Sequence, residues 1–465
     1  MENKIDKRSV LLISLIGAFL VPFMSSSLVI ALPSIGNEFS VGTISLNWVL
    51  LAFLLSAAIF VVPFGRIADI YGRKKVYLYG MVLFTLSSIL SSISFSMEML
   101  ILSRIIQGIG GAMIFCTSVA ILTSVYPPGE RGKVLGLNIS VTYIGLSLGP
   151  VIGGILTHNY GWRSIFYFTI PIGVFGIVFI LKKLKYEWIE AKGEKFDYIG
   201  SIIYGIALFC IMAGLSLVSE EWYGYLLILV GIISIIVFGY FELKVQNPVL
   251  NISLFKGNRV LVFASLAALI NYSATYAVGY LLSLYLQYIK GFSSQEAGLI
   301  LLIQPVIQAV FSPLTGRLSD KFEPQKLASI GMALSGFGLL LFTFLNKNTN
   351  LVFVIVALVL LGLGFALFSS PNTNAIMSSV EKKFYGVTSG ILGTVRLVGQ
   401  TFSIGITSLI FIIYFGGAQI SKKYHPHFVQ STETIFIVLT ILSLVGVFAS
   451  LSRGKMPTNK KLPSS

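Results

Sequence analysis

Charged and chemically reactive residues are scarce in this chain. Asp, Glu, Lys and Arg make up 11% of the 465 residues, and there are only 2 cysteines and 3 histidines. Cys116 and Cys210 lie in apolar segments, where a free cysteine behaves as a small buried residue. His158, His425 and His427 all fall between apolar segments. These residues form no cluster that would bind a metal, and we expect no metal, no cofactor and no catalytic residue.

Two sequence patterns that would indicate other functions are also missing. No G-x-x-x-x-G-K-[ST] phosphate-binding loop occurs, which argues against an ATP-driven pump built from this chain alone. No pair of carboxylates falls within an apolar segment, which argues against an enzyme embedded in a membrane. We therefore expect a protein that is not an enzyme.

Long apolar segments fill most of the sequence. Hydrophobic residues make up 55% of the chain, and the mean hydropathy is +0.88. Segments of about eighteen or more apolar residues are typical of membrane-spanning helices. The first segment follows the basic stretch MENKIDKRS but is too long for a signal peptide, so we keep it as a helix. We predict an all-α integral membrane protein with fourteen spans, near residues 9–32, 44–64, 76–95, 99–125, 134–157, 163–184, 198–218, 223–241, 260–286, 296–317, 327–345, 351–378, 386–415 and 433–451.

The positions of the basic residues explain the formal net charge of +15. With the N-terminus in the cytoplasm, cytoplasmic segments hold 26 of the 33 Lys and Arg residues. This is the positive-inside bias of membrane proteins, so nucleic acid is not an expected partner. We predict a multi-pass protein of the cell (plasma) membrane, with both termini cytoplasmic. The five basic residues of the outer loops are Arg163, Lys290, Lys347, Lys422 and Lys423.

A short charged stretch, GRIADIYGRKK from Gly65 to Lys75, occurs twice in part. It follows the second predicted span, and PLTGRLSDKF follows the tenth with the same G-R-x-x-D pattern at an offset of 251 residues. The matched residues are Gly65, Arg66 and Asp69 in the first copy and Gly316, Arg317 and Asp320 in the second.

Each copy follows the second helix of a six-helix set, so the chain consists of two related halves. Internal repeats of helices are typical of secondary transporters, which rock one half against the other around a central site. We predict an N-terminal six-helix bundle at 1–185, a linker with two inserted helices at 186–242, a C-terminal six-helix bundle at 243–453 and a cytoplasmic tail at 454–465.

Five motifs resemble those of the major facilitator superfamily, and within it the fourteen-helix drug:proton antiporters. They are GRIADIYGRKK, RIIQGIGGA from Arg104, GLSLGPVIGG from Gly145, GWRSIFYFTIPIG from Gly161 and SSPNTNAIMSS in span twelve. The resemblance covers nearly the whole chain, and the GLSLGPVIGG motif is its most specific part. It implies two six-helix bundles plus two inserted helices, and proton-coupled efflux of small amphipathic compounds through the lipid bilayer by a monomer.

The first charged stretch matches the superfamily motif at five positions, although Ile70 stands where a basic residue is usual. Its glycines suit a tight turn, and its basic residues anchor the chain at the inner membrane face. If the stretch only anchored the chain at the membrane, Asp69 would have no role. Nearby arginines can instead bind Asp69 in a charge-assisted ion pair. The resemblance implies a contact between the two halves that closes a gate. The gate residues are Gly65, Asp69, Gly72, Arg73 and Lys74, with Gly316, Arg317 and Asp320 in the second copy.

The fifth span carries the antiporter motif, whose glycines repeat every four residues. Gly145, Gly149 and Gly153 share one helix face that a neighbouring helix can approach closely, and Pro150 permits a kink. Ordinary helix packing explains the same spacing. The resemblance, which includes Gly154, implies a bend that governs closure. In span ten, Ser293 and Glu296 have the spacing of a capping box.

Two arginines fall inside predicted spans, where a guanidinium usually faces a cavity or a partner. Arg104 lies about five residues from the end of span four, so it also has a path outward to the membrane surface. Arg396 lies roughly 15 Å deep in span thirteen. Its expected neighbours are Gln400, on the same face, and Gln304 and Gln308 of span ten; a purely structural role for Arg396 remains the alternative.

The first span departs from the family pattern. Met24 stands where related antiporters carry an acidic residue, and no carboxylate falls anywhere in that span. A proton carrier must change protonation near the working pH, which the neighbouring serines cannot do. Coupling then uses a carboxylate near a membrane face, with Asp69, Glu38, Glu220 and Glu221 as candidates, or the transporter is not coupled as its relatives are.

Family analogy places spans one, four, nine and twelve around a central cavity. Aromatic and weakly polar walls suit amphipathic compounds of varied shape, although tyrosines also serve as packing or interface residues. We predict a secondary transporter for efflux of such compounds; the alternative is an exporter of anionic or zwitterionic metabolites with atypical or no proton coupling. The cavity candidates are Ser25, Ser26, Arg104, Gln107, Asn271, Tyr272, Tyr276, Tyr280, Gln304, Gln308, Asn372, Asn374, Arg396 and Gln400.

Overall fold

The computed structural model describes residues 6–40, 43–217, 222–292, 294–415 and 425–454. Regular secondary structure in these residues is helical throughout. Fourteen helical segments are long and apolar enough to cross a membrane. The predicted all-α membrane fold with fourteen spans is therefore confirmed.

The N-terminal part of the chain forms eight helices. Several begin at a residue whose side chain accepts a backbone N–H, such as Asp6 before α1 and Ser96 before α4. Their bounds are α1 Lys7–Phe39, α2 Thr43–Tyr71, α3 Arg73–Ser92, α4 Met97–Val125, α5 Arg131–Tyr160, α6 Arg163–Lys183, α7 Tyr198–Leu217 and α8 Tyr223–Glu242.

The C-terminal part forms six spans from eight helices. The ninth span consists of α9, α10 and a π-helical turn, and the tenth consists of α11 and α12. The bounds are α9 Arg259–Thr275, α10 Val278–Leu284, the π turn Tyr285–Ile289, α11 Ser294–Leu301, α12 Ile303–Lys321, α13 Pro324–Phe342, α14 Leu351–Ser378, α15 Tyr385–Phe415 and α16 His425–Leu451. Short 3₁₀ turns lie at Ile252–Leu254 and Lys382–Phe384.

Both charged stretches are helical for longer than the sequence predicts. The predicted ends near 64 and 317 lie instead at Tyr71 in α2 and at Lys321 in α12. The turn falls on Gly72, whose φ of +120° suits glycine. Gly65, expected in a turn, therefore lies inside α2. Apolar runs mark the part of a helix that lies in the membrane, and these two helices continue beyond it.

Helix packing repeats between the two halves. In the first half α1 packs on α5 and α6, and α4 packs on α2 and α3. In the second half α9 packs on α15 and α16, and α14 packs on α12 and α13 in the same order. One buried apolar core, which includes Phe84 and Phe166, lies mostly in the first half and extends to Leu261 and Ile376 of the second, and another, which includes Phe342 and Phe436, lies in the second half.

The contacts between the halves also come in matched pairs. Helix α5 packs on α12 and α14, and α15 packs on α2 and α4. Helices α7 and α8 pack on each other, and α7 also contacts α2 and α15. We call the membrane face where α1, α3 and α5 begin and α2 ends the basic face.

Candidate functional site

A cavity of about 390 Å³ lies between the two halves. Its size falls in the range of small-molecule sites. Helices α1, α2, α4 and α5 line it from one side, and α9, α12, α14 and α15 line it from the other. Its lining includes six aromatic side chains, Phe53, Phe115, Tyr143, Tyr272, Tyr276 and Phe365, and the polar side chains Ser25, Ser118, Asn138, Thr142, Thr275, Gln304, Gln308, Arg396 and Gln400.

Among the described residues that line the cavity, Arg396 alone carries a charged side chain. Its guanidinium lies 5.8 Å from the ring centroid of Tyr272. The ring of Phe365 meets Tyr143 and Tyr272 edge-on, at centroid distances of 5.5 and 5.6 Å. Among the described residues, no carboxylate forms an ion pair with Arg396. The cavity thus combines an aromatic wall with a positive charge that has no acidic partner.

Seven of the predicted cavity residues line this space: Ser25, Tyr272, Tyr276, Gln304, Gln308, Arg396 and Gln400. Asn372 lines a smaller adjoining pocket, which Arg396 also reaches, and its Nδ2 donates to the Ala264 carbonyl at 3.1 Å.

Four other predicted cavity residues lie away from the main cavity. Asn271 is buried with no hydrogen-bond partner for either side-chain atom. The hydroxyl of Ser26 donates to the Pro22 carbonyl at 3.0 Å within its own helix. Asn374 Nδ2 donates to Ser319 Oγ at 3.1 Å, and the ring of Tyr280 faces Phe411.

Arg104 and Gln107 join three helices within the first half. Both side chains are 0% exposed and outside the cavity lining. Arg104 donates to the Val49 carbonyl at 3.1 Å, bonds Gln107 and lies over the Phe53 ring at 4.5 Å. Gln107 in turn donates to Ser88 Oγ at 2.8 Å. Arg104 thus turns inward rather than to the membrane surface, and its contacts are those of a structural arginine.

Asp69 connects the two halves at the basic face. One carboxylate oxygen accepts the Gly386 N–H at 2.9 Å, and the other accepts the Val387 N–H at 3.0 Å. These are the first amides of α15, where the partial positive charge of the helix favours an anion. A Cβ on Gly65 would lie 2.8 Å from the carbonyl carbon of Gly386, so the helices cross where neither has a side chain. We call Gly65, Asp69, Gly386 and Val387 the Asp69 clasp.

Arg73 strengthens the Asp69 clasp. Its Nε and Nη2 donate to one Asp69 oxygen at 2.9 and 2.7 Å, and both side chains are 0% exposed. It also donates to Ser124 Oγ at 2.6 Å and to the Lys382 carbonyl, which belongs to the second half. The buried guanidinium of Arg73 thus donates hydrogen bonds to a carboxylate, a hydroxyl and a backbone carbonyl, which compensate for its burial.

The linker between α6 and α7, residues 184–197, covers the same region. Glu187 accepts the Lys74 N–H at 2.8 Å and so caps the start of α3 beside Gly72. Glu194 pairs with Arg66. The Ala191 N–H donates to the Asp69 carbonyl at 3.0 Å. This linker therefore holds the turn between α2 and α3 from outside.

The second copy of the motif forms a matching contact. The Asp320 carboxylate accepts the Gly132 N–H at 2.8 Å and the Lys133 N–H at 3.0 Å, which are the first amides of α5. A Cβ on Gly316 would lie 2.9 Å from the carbonyl carbon of Gly132. We call these four residues the Asp320 clasp. Arg317 is exposed, whereas its counterpart Arg66 is buried and paired.

The glycine face of the antiporter motif packs on α1. A Cβ on Gly145 would lie 2.7 Å from the Phe19 carbonyl oxygen, and one on Gly149 would lie 2.9 Å from the Ser27 nitrogen. Gly153 meets the same Ser27, whereas the nearest atom to Gly154 belongs to Ile30 at 3.8 Å. Pro150 lies inside α5, which continues to Tyr160. The motif thus permits close approach of α1 and α5.

Those expected sites of proton coupling that the structure describes lie outside the cavity lining. Met24 is fully buried in the core of the first half rather than in the cavity lining. Glu38 accepts hydrogen bonds from Trp162 Nε1 at 2.7 Å and from Arg163 at 2.8 Å, on the face opposite the basic face. Glu220 and Glu221 fall outside the described residues, as does Ser293 of the predicted capping box. Glu296 lies in the first turn of α11.

The partners of the two aspartates were missing from the sequence predictions. Gly132 and Gly386 lie at the starts of α5 and α15, 254 residues apart. This offset is close to the 251 residues that separate the two charged stretches. A search for glycines repeated at that offset would have identified Gly132 and Gly386 as the partners. The aromatic residues Phe53 and Phe115 of the cavity wall carry no comparable signal, because they look like any apolar residue of a span.

Comparisons with known proteins agree with this architecture. The model of the Major Facilitator Superfamily matches residues 14–242 and 264–465. The chain is 31% identical to the riboflavin transporter RibZ of Clostridioides difficile (strain 630), over 91% of each chain. It is 28% identical to the multidrug resistance protein Stp of Mycobacterium tuberculosis (strain CDC 1551 / Oshkosh), over 89% of this chain and 76% of that protein.

A solved structure shares the fold at low sequence identity. The human organic anion transporter MFSD10 (TETRAN) superposes with a TM-score of 0.68 and 15% identity, over 96% of this chain and 99% of that one. This likeness shows the fold. The family match along both halves and the 31% identity to a transporter show that the chain is a transporter, not an enzyme, and belongs to the major facilitator superfamily.

Proposed function

We propose that this transporter exports amphipathic, ring-containing compounds from the cytoplasm, as a monomer in the cell membrane with its basic face inside. The observation that carries the proposal is the lining of the central cavity, where six aromatic side chains surround a few amide and hydroxyl groups and one arginine. Aromatic walls bind flat apolar rings of varied shape, and scattered polar groups fix their orientation.

The relatives support this class of substrate. RibZ is named for riboflavin, which is a planar ring system with a polar side chain, and Stp is named for multidrug resistance. Both names are consistent with a cavity that binds rings through stacking. The cavity of this chain has both the aromatic surface and the amides that such ligands need.

Within this class, the charge of the cavity favours anionic or zwitterionic compounds over cations. In the described part of the chain, Arg396 has no acidic partner and no carboxylate lines the cavity. A cationic ligand would meet an unfavourable charge in a medium of low dielectric constant, whereas an anion would form a charge-assisted hydrogen bond. This observation supports the substrate class of the alternative prediction, which was an exporter of anionic or zwitterionic metabolites with atypical or no proton coupling.

The two clasps supply a gate for alternating access. Both join the halves at the basic face, and in each one an aspartate of one half binds the first amides of a helix in the other. While both are formed, the cavity is shut off from the basic face. We infer that the substrate enters after both clasps have opened, and leaves on the opposite side after they have closed.

We further propose that export is driven by proton antiport. Since the lining lacks a carboxylate, the proton carrier in this scheme is a carboxyl group outside the cavity, and Asp69 is the predicted candidate that lies between the two halves.

Uptake into everted, inside-acid vesicles tests the proposal. Accumulation of a fluorescent anionic compound and of a cationic one of similar ring size would be followed directly, and the proton gradient would be followed with a pH-sensitive dye. We expect anion uptake that falls at least about tenfold in Arg396→Ala, since one lost charge-assisted bond removes about 1.5 to 3 kcal/mol.

Two matched variants define the outcome. Arg396→Lys keeps the positive charge and should retain part of the anion uptake, while Arg8→Ala removes an exposed arginine and should change nothing. Uptake of cations alone, unaffected by Arg396→Ala, would contradict the anionic assignment. Substrate movement without any change in the proton gradient would contradict proton antiport.

A further inference from the structure

Two carboxylates outside the cavity meet at the base of the inserted helices. Asp197 immediately precedes α7, and Glu242 is the last residue of α8. The Gly200 N–H donates to Asp197 Oδ1 at 2.9 Å, so Asp197 caps the start of α7. The Leu250 N–H donates to Glu242 Oε2 at 3.0 Å. Each carboxylate therefore uses one oxygen to fix the backbone.

The other two oxygens face each other. Asp197 Oδ2 and Glu242 Oε1 are both buried, and neither has a hydrogen-bond partner among the residues that the structure describes. A Cβ placed on Gly200 would overlap both of these oxygens, so they converge on the same point above that glycine. Glu242 is only 3% exposed. Glu242 thus points an unsatisfied oxygen, away from water, at a second carboxyl group.

No basic side chain compensates this pair within the described residues. Neither carboxylate forms an ion pair. Of the basic groups on the same elements and on the adjacent α2, Arg66 pairs with Glu194 through Nη2, Lys244 binds the hydroxyl of Tyr240, and Lys192 and Lys195 are exposed. The buried Nε and Nη1 of Arg66 have no hydrogen-bond partner among the described residues and form no ion pair with either carboxylate. Glu242 is buried and Asp197 is half-buried, so burial and the neighbouring like charge both disfavour a state in which the two carboxylates are charged together.

We propose that Asp197 and Glu242 form a proton-binding site, in which one shared proton makes a hydrogen bond between Asp197 Oδ2 and Glu242 Oε1. A proton satisfies both orphaned oxygens and lowers the charge of the pair from two to one.

The location gives the proton a structural effect. The pair joins the start of α7, the end of α8 and the segment at Leu250 that leads to the second half. Helix α7 in turn contacts both halves, and its Tyr204 hydroxyl lies 2.6 Å from Thr394 Oγ1 in α15. Loss of the proton leaves two like charges next to each other. Their repulsion weakens the contacts that the inserted helices α7 and α8 make with the two halves.

Infrared spectroscopy of the full-length protein in lipid tests the site directly. A protonated carboxylic acid has a C=O stretching band that a carboxylate lacks. We expect a band of this kind at neutral pH that disappears at alkaline pH and is absent from Glu242→Gln. The control variant Glu381→Gln replaces an exposed carboxylate and should leave the band unchanged. A spectrum of wild type at neutral pH with no band that Glu242→Gln removes would overturn the proposal.

Thermal stability separates a proton from a metal cation. Glu242→Gln keeps a hydrogen-bond donor toward Asp197, so its melting temperature should stay constant over the alkaline range in which the wild type loses several degrees. The double variant Asp197→Asn/Glu242→Gln should show the same flat profile. If instead added sodium, potassium or calcium ions raise the melting temperature of the wild type but not of Glu242→Gln, the pair holds a cation and the proton assignment is wrong. Neither readout depends on transport.

Discussion

The two clasps have the same backbone geometry but different surroundings. In each, an aspartate accepts hydrogen bonds from two N–H groups in the first turn of a helix from the other half, beside a crossing of two glycines. Asp69 is 0% exposed and also binds Arg73, whereas Asp320 is partly exposed. The position 251 residues after Arg73 is Pro324, the first residue of α13, which has no charge to offer.

This difference shows how a repeated gate becomes asymmetric. The shared part, an anion at a helix N-terminus, needs only an aspartate and glycines. The added part, Arg73 and the linker 184–197, is present on one side alone, because the linker leads into the inserted helices. We therefore expect the Asp69 clasp to be the stronger of the two and the Asp320 clasp to open more easily.

The largest effect should come from removing one aspartate at a time. Asp69→Ala leaves the buried Arg73 without its partner, and we expect a loss of about 3 to 5 kcal/mol in the free energy of unfolding. Asp320→Ala removes two hydrogen bonds at a partly exposed site, so we expect about 1 to 3 kcal/mol. Denaturant titration of the purified protein in mild detergent measures both.

Glu381→Ala, which removes an exposed carboxylate, is the control for the loss of an acidic residue at the same face. Equal losses for the two aspartates, or a larger one for Asp320, would contradict the proposed asymmetry.

An intermediate effect should follow from adding a methyl group at either glycine crossing. Gly386→Ala would place Cβ against the backbone of Gly65, and Gly132→Ala would place it against the backbone of Gly316. We expect each to cost about 1 to 3 kcal/mol and to slow transport, because the basic face closes less well. Unlike the aspartate variants, these two should be similar to each other. Gly298→Ala, at a position with open space around it, should be neutral.

Normal transport and stability in Gly386→Ala would show that close approach of α2 and α15 is not needed for closure. Unequal losses in the two alanine variants would show that the crossings themselves, and not only their surroundings, differ.

The smallest effect should come from Glu187, which belongs to the Asp69 side only. Burial raises the pKa of this carboxyl above its ordinary value of 4.5, against the opposing effect of hydrogen bonds from the Lys74 and Lys75 amides. A raised pKa in the folded state means that folding binds a proton, so this contribution to stability is lost as the pH rises from 4.5 through the raised value. Glu187→Gln should flatten that slope and change the melting temperature by about 1 to 2 °C.

Melting curves of wild type and Glu187→Gln across the acidic range measure this slope, with Glu381→Gln as the control. Identical slopes in all three proteins would mean that the linker is not held through Glu187.

Much of the fold could be predicted from sequence because the bilayer imposes long apolar helices. The fourteen spans and the position of the repeated motif follow from that constraint. The ends of α2 and α12 were misjudged, since they extend beyond the apolar run. The break between Thr275 and Val278 in the ninth span was also missed, because the Ala277 N–H donates to Ser403 of α15, a contact that no local pattern announces.

The candidate site was harder to predict, as the two membrane arginines show. Arg104 and Arg396 look alike in sequence, each a lone cation in an apolar segment. One is enclosed by Val49 and Gln107 of its own half, and the other faces the cavity. Whether an arginine is enclosed or faces the cavity depends on side chains from other helices. Its depth within a span therefore does not predict its role. The same limit explains why Asn271 and Ser26 fall outside the lining.

The most direct test of the asymmetric gate is a distance measurement across each clasp. Spin labels at Tyr71→Cys and Lys383→Cys span the Asp69 clasp, and labels at Lys133→Cys and Lys321→Cys span the Asp320 clasp, on exposed side chains. Cys116 and Cys210 would be replaced by serine. Double electron-electron resonance should show that Asp69→Asn widens the first distance distribution more than Asp320→Asn widens the second. Equal widening, or a larger change across the Asp320 clasp, would contradict the proposal that Arg73 and the linker make the Asp69 clasp the stronger of the two.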